Sequence, residues 1–458
     1  VLRARGQAIV DEDGKTVQLC GLGLGGWMNM ESFITGFSGN EQAWRAALRR
    51  ELGDERFRFF IDRFLTYFFE EADAALISSL GQTCLRLPIN YRHFEDDASP
   101  FIVREDGFAH LDRVIELCAA HGIYTVIDLH AMQGYQNQDW HSDNPGILAE
   151  LWTQRQFQDR AANLWQAIAG HYRGNRWVAG YNLVNEPSAP DKQAFLAVTR
   201  RLWEAVQEID PDHIVFLDGD GYASNLDHFD EAWPNTVYSF HDYAYCGFSF
   251  GGEYPGYTRG VWCDEAWAER HFMRKSAFGR EHNVPVWVGE FGAVFSGDPA
   301  RDENRCSIIA DQIGIYDRHA TGWSLWTYKD VGKMGLVCPS PDSPYMRLLK
   351  PHLDKKERLG ADSWTSTGGE LAEATGPILD LVAREFPDRE QLDFDPGWMV
   401  ERTVQGILLS KALLPEIAAA FRGLTEEDLD QLLQSFRLGN CVVREPLARV
   451  LMRNPVPA

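Results

Sequence analysis

Short apolar runs alternate with amphipathic stretches along most of this chain. The runs are "VQLCGLGLGGW" (17–27), "TCLRLPIN" (83–90), "YTVIDLH" (124–130), "WVAGYNLVNEP" (177–187), "HIVFLDGD" (213–220), "TVYSFHDY" (236–243), "VPVWVGEFG" (284–292) and "GWSLWTYKD" (322–330). Each is short and rich in β-branched or aromatic residues, the pattern of strands buried on both faces. Between them, segments such as "HLDRVIELCAAHG", "FQDRAANLWQAIAGHY" and "KQAFLAVTRRLWEAVQEID" place apolar residues three and four apart. Several stop at glycine before the next strand, as helices do. The link 221–235 is the exception, with no convincing helix. Eight strands alternating with helices predict an α/β fold, a (β/α)8 TIM barrel.

Three stretches exceed a minimal barrel: 28–66, 131–150 and the Tyr/Phe/Gly-rich 244–264. All follow predicted strands, so they are expected to crowd the C-terminal mouth where such barrels keep their sites. The segment 371–386 reads as the closing helix. The chain therefore divides into a catalytic barrel at 1–390 and a helical C-terminal extension at 391–458. In the extension "TEEDLDQLLQSF" opens with a capping-box-like Thr425 and Asp428. Amphipathic helices usually just bury an apolar face, so packing on the barrel is expected; an oligomer contact or a cover near the site are the alternatives.

Composition narrows the class. With 45% hydrophobic and 24% charged residues the chain is of ordinary soluble type. A net charge of −23 disfavours nucleic-acid and anionic-membrane partners. No apolar run approaches the roughly 20 residues that cross a bilayer. The start "VLRARGQAIVDEDG" lacks an apolar signal-peptide core, although a removed leader is compatible with a first residue that is not methionine. Cysteines 20, 84, 118, 246, 263, 306, 338 and 441 form no C-x-x-C pair and no zinc spacing. They read as reduced thiols of a cytoplasmic protein, with Cys246 and Cys263 the best disulfide pair if the protein is secreted.

Chemistry gathers at the strand ends. Strand two carries Arg86, strand three Asp128 and His130, strand four Asn185 and Glu186. Strand six ends in His241 and Tyr243, strand seven in Glu290, strand eight in Trp326. Each has a structural alternative: a buried ion pair for Arg86, satisfied core histidines for His130 and His241, plain packing for Trp326. Six strands bringing such groups to one rim favour a site. Glu186 and Glu290, on strands four and seven, can face each other across the mouth. Two carboxyl groups about 5–5.5 Å apart are what a retaining glycosidase needs.

These residues carry a resemblance to glycoside hydrolase family 5: "RLP" (86–88), "DLH" (128–130), "NEP" (185–187), "HDY" (241–243), "GEFG" (289–292) and Trp326 occur in family order across residues 15–385. The resemblance implies Glu186 as general acid/base and Glu290 as nucleophile. It implies Asn185 on the hydroxyl beside the anomeric carbon, Arg86 and Tyr243 orienting Glu290, His130 and His241 lining the subsite, and Trp326 as its floor. A cis peptide at Trp326–Thr327 is a further expectation. Two stretches, 21–36 and 130–144, are similar to the exo-1,3-β-glucanase branch, in which a glutamate corresponding to Glu31 holds the terminal sugar. The inserted stretches favour a pocket-shaped site over an open cleft, hence exo-action on oligosaccharides, with a β-glucosidase or exo-glucanase type favoured; a β-mannosidase, a furanosidase or an endo-acting cellulase or mannanase are the alternatives, and no cofactor or metal is called for.

Two motifs are read as decoys. Gly21 to Gly26 matches G-x-G-x-x-G, but "WMNMESFITGFSGN" is a poor helix start for a dinucleotide site. Asp128 and His130 lack the further ligands a metal-dependent hydrolase needs. A catalytically silent carbohydrate-binding barrel is the competing class.

Overall fold

A computed structural model describes residues 1–361, 369–387 and 395–452. Eight parallel strands close into one barrel: Cys20–Gly23, Cys84–Asn90, Tyr124–Ala131, Val178–Asn182, Ile214–Asp218, Thr236–His241, Val286–Phe291 and Gly322–Leu325. Every expected strand is present, and most are shorter than the apolar run that announced them. Strand four stops at Asn182 and strand eight at Leu325, so "LVNEP" and "WTYKD" are irregular backbone beyond the last ladder bonds. The link after strand five holds only the short helix Asp220–Ala223.

The barrel has two ends with different contents. At the N-terminal end an unanticipated hairpin, Arg3–Arg5 with Ala8–Val10, closes the floor. Its Leu2 and Ile9 pack with Leu19, Ile214, Phe216, Val237 and Trp287 in an apolar cluster. At the C-terminal end the polar strand endings are collected. The segment after strand one forms the long helix Glu41–Phe68, bent at Gly53 where φ is 75°. The aromatic stretch after strand six contains a second hairpin, Gly256–Thr258 with Val261–Cys263.

The closing helix is not the one the sequence suggested. Glu370–Glu385 does form a helix, but Leu371 is its one buried residue. The helical ring is completed instead by Glu445–Leu451. This helix packs on Pro299–Arg318, the helix after strand seven. The Leu451 carbonyl accepts 2.6 Å from Gln82 Nε2, just before strand two. Glu445–Leu451 thus packs beside the barrel, and the expected division at 390/391 lies outside the described residues. Amphipathicity alone could not distinguish the two helices, because both carry an apolar stripe and only tertiary space decides which one is covered.

The rest of the C-terminal segment is bound to the insertion after strand one. Phe421 meets Trp44 and Phe60 edge-on at 5.6 and 5.7 Å, and Phe436 packs on Phe64 and Phe68. The buried Lys329 ammonium ties three segments together, donating to Asp73 Oδ1 at 2.8 Å and to the carbonyls of Phe68 and Phe436 at 2.7 Å. Val337–Pro339 pairs antiparallel with Cys441–Val443. No disulfide joins the eight cysteines, six of which are buried, Cys246 and Cys263 included. Among the described residues no helix is long and apolar enough to cross a membrane.

Candidate active site

Strand seven brings Glu290 to the mouth, and three groups fix its carboxylate. Arg86 Nη1 donates to Oε1, Tyr243 Oη donates to Oε2 at 2.7 Å, and His241 Nδ1 lies 3.5 Å from Oε2. Arg86 is not at a strand end. It projects into the barrel from within strand two and is fully buried. Its cost of burial is met by Asn182, by Asn185 Oδ1 at 2.7 Å and by Asp128 at 3.2 Å. Burial pushes the Tyr243 hydroxyl pKa up and the neighbouring Glu290 and Glu186 charges push it further, so Tyr243 remains a donor.

Glu186 reaches the same space from irregular backbone. Neighbouring side chains on a regular strand point to opposite faces. Strand four has ended four residues earlier, and Glu186 adopts φ 46°, which lets Asn185 and Glu186 both face inward. The Glu186 amide is held by Asp218 Oδ2 at 3.2 Å, its carbonyl by Asn137 Nδ2 at 2.9 Å. Two imidazoles flank its carboxylate: His241 Nδ1 is 2.7 Å from Oε1 and His141 Nε2 is 3.0 Å from Oε2. Burial opposes ionisation of Glu186, yet the hydrogen bonds and charges of His141 and His241 outweigh it and hold this carboxyl well below the usual range. Both histidines respond in the opposite sense. Burial disfavours their charged forms, but Glu186 and Glu290 raise the pKa of His241, and Glu186 chiefly raises that of His141.

Ligating atoms of Glu186, His241 and Glu290 all lie within 4.8 Å of one another. The two carboxylates are thus close enough for the retaining geometry of about 5–5.5 Å. This is also the one cluster of metal-ligating span among the described residues. Arg86 sits against Glu290 there, and a cation held by the trio would have to tolerate that guanidinium.

Glycines make room for Trp326. Trp326 follows strand eight through a cis peptide to Thr327, and its ring stacks parallel to His130 with centroids 5.3 Å apart and planes 3° apart. A Cβ on Gly23 would sit 2.8 Å from the indole and one on Gly25 2.5 Å from it. The glycine-rich segment therefore clears space for Trp326 rather than cradling phosphate. His130 Nδ1 pairs with Asp128 at 2.7 Å. Burial lowers its proton affinity, but Asp128 more than compensates and the pKa is pushed up to about 10. Glu31 lies 3.5 Å from His130 Nε2, its own pKa raised by burial and partly offset by that imidazole.

Every residue singled out from the sequence thus lies in one connected cluster: Glu31, Arg86, His130, Asn185, Glu186, His241, Tyr243, Glu290 and Trp326. Three were missed. Asp218 ends strand five and would have been found by applying the strand-end argument to that strand too. Its pKa is raised by burial, partly offset by His241 and Arg86. His141 and Asn137 lie in the polar stretch 131–150, where nothing in the spacing marks them.

The family model for cellulase (glycosyl hydrolase family 5) matches residues 62–331. A β-xylosidase of Phanerodontia chrysosporium is 44% identical over 471 aligned positions, spanning 99% of this chain and 98% of that protein. A protein of Aspergillus clavatus named "Probable glucan 1,3-beta-glucosidase A" is 27% identical over 69% of this chain and 83% of its own length. Among solved structures, an endogalactoceramidase superposes with TM-score 0.52 at 17% identity, covering 72% of this chain and 75% of that one, a likeness of fold. The chain belongs to glycoside hydrolase family 5 and is a retaining O-glycosyl hydrolase.

Proposed function

We propose that the protein is an exo-acting β-glycosidase that removes a terminal sugar by double displacement, with Glu290 as nucleophile and Glu186 as general acid/base. The observation that carries this reading is the pair itself: two carboxylates within 4.8 Å, one clamped by Arg86 and Tyr243, the other flanked by two imidazoles. Glu290, held in place by the Arg86 and Tyr243 donors, attacks the anomeric carbon. The leaving oxygen takes a proton from Glu186, which draws it from the adjacent imidazoles once substrate lies against it. In the second half Glu186 accepts a proton from water, and that water releases the sugar from Glu290.

Exo-action is supported by enclosure. Glu186 is 8% and Glu290 4% exposed, beneath the segments after strands one and three, so a chain end fits better than a chain middle. The sugar we propose is xylose, on the strength of the β-xylosidase that aligns end to end. Glucose is the second reading, favoured by the stretch around Glu31. Hydrolysis of aryl β-xylosides and β-glucosides, with product analysis on the matching oligosaccharides, decides between them. Release of one monosaccharide per event from the non-reducing end supports exo-action, and mixed internal products count against it.

A further inference from the structure

His141, which flanks Glu186, lies in a segment that a residue far along the chain touches. His141 lies in the segment after strand three. Its carbonyl accepts 3.0 Å from Asn29 Nδ2, and its ring packs near Tyr222 and His130. The inner side of this segment is fastened to the barrel by Asp143, which receives Asn40, Gln42, Asn90 and Arg92. The outer side is fastened by Arg402 of the C-terminal extension. The Arg402 guanidinium donates to the carbonyl of Gln138, to that of Asn144 at 3.1 Å and to that of Gly146 at 2.9 Å, and lies 3.6 Å from Asp139.

This clamp is built, not incidental. Arg402 is 3% exposed, and a buried guanidinium that spends its donors on three backbone carbonyls is costly unless the carbonyls are where they are needed. One helical turn on, Gly406 makes room for it: a Cβ there would stand 2.0 Å from Arg402 Nη1. Gly406 also shares a small cavity with Trp140 of the same loop and Ser32 of the segment after strand one, so the extension meets both walls of the mouth. Of the three carbonyls, that of Gln138 lies on one side of His141 in sequence and those of Asn144 and Gly146 on the other, so the clamp brackets the histidine.

We propose that Arg402 is a positioning residue for acid catalysis: it holds 138–146 so that His141 stays against Glu186, and the C-terminal extension thereby completes the active site. The inference rests on Glu186 being the acid/base. It assigns the extension a task beyond packing, and one that acts on a single step, protonation of the leaving group.

The test compares leaving groups. On whichever aryl glycoside the wild type hydrolyses, a dinitrophenyl leaving group needs little protonation and a plain phenyl group needs it fully. Arg402→Gln, His141→Gln and Gly406→Ala are each expected to lower kcat/KM for the phenyl glycoside about 10-fold more than for the dinitrophenyl glycoside. Gly406→Ala is the informative variant, since alanine favours a helix and yet displaces the guanidinium. Should Arg402→Gln fail to fold, this variant and His141→Gln still decide. The double variant Arg402→Gln/His141→Gln is expected to be no worse than His141→Gln alone, because both changes remove one interaction. Equal losses on both leaving groups, unchanged kinetics, or losses that multiply in the double variant overturn the proposal. Glu186→Gln is run alongside: if it shows no dependence on the leaving group, the acid/base reading itself fails.

Discussion

His241 Nδ1 lies 2.7 Å from Glu186 Oε1 while the same atom is 3.5 Å from Glu290 Oε2. One imidazole therefore stands between the two carboxylates. Like charges this close repel, and an imidazolium between them offsets that repulsion. On the proposed reading, the proton that starts the reaction is held next to Glu186 rather than on it.

A pH profile should report that store. His141 and His241 hold their protons above the ordinary histidine value of 6.5. Glu290, Glu186 and Asp218 raise His241, and Glu186, Asp139 and Glu31 raise His141, against their burial; Tyr243, Tyr222 and the His130 imidazole also face the cluster. Raised histidine pKa values mean that the proton is present below 6.5 and is lost only as pH climbs above it. The alkaline limb of kcat/KM is therefore expected to lie above pH 6.5, with an apparent value belonging to the cluster and not to one residue. A limb at or below that pH would contradict the arrangement.

Tyr243→Phe removes one donor from Glu290 and leaves Arg86 in place. The expected result is a fall in kcat/KM on the order of 10- to 100-fold, with little change in melting temperature, because a single hydrogen bond contributes about 1 kcal/mol to stability. Steady-state kinetics beside a thermal melt checks both halves.

Arg86→Met should damage the fold as well as the activity. It leaves Asp128, Glu290 and Asp218 facing one another without their buried cation. Loss of one partner from a buried charge cluster costs roughly 3–5 kcal/mol. A urea midpoint unchanged from wild type would show that the cluster does not need the guanidinium.

The ring-closing role of Glu445–Leu451 is tested by a chain ending at Arg444. Leu447 and Leu451 are fully buried and Ala448 nearly so. Burial of each leucine contributes about 1.5–3 kcal/mol, so the shortened chain should lose several kcal/mol in a denaturant titration. Removing an ornamental tail would leave the midpoint where it was.

The barrel and its site were legible in the sequence for one reason: buried strands must be apolar, so a charged or aromatic polar residue at a strand end stands out. Glu186, His241 and Glu290 stand out that way, and Arg86 stands out as a charge inside an apolar run. Features set by tertiary space were not legible. The floor hairpin at Arg3–Val10 is too short to show a period. The closing helix could not be told from Glu370–Glu385, since both are amphipathic. His141 and Arg402 escaped because one lies in an irregular polar segment and the other belongs to a helix whose purpose appears only where it meets that segment. The glycines at 21–26 matched a nucleotide motif for an unrelated reason, the close approach of Trp326.

On the proposed mechanism, Glu290 forms the covalent intermediate while Glu186 handles the proton. A deoxyfluoro aryl glycoside of the preferred sugar slows the second step and traps the glycosyl-enzyme, and peptide mass spectrometry locates it. The expected result is one sugar per chain, on the peptide that contains Glu290, in the wild type and none in Glu290→Gln. A label on Glu186 or any other residue, or full labelling of Glu290→Gln, would contradict the account.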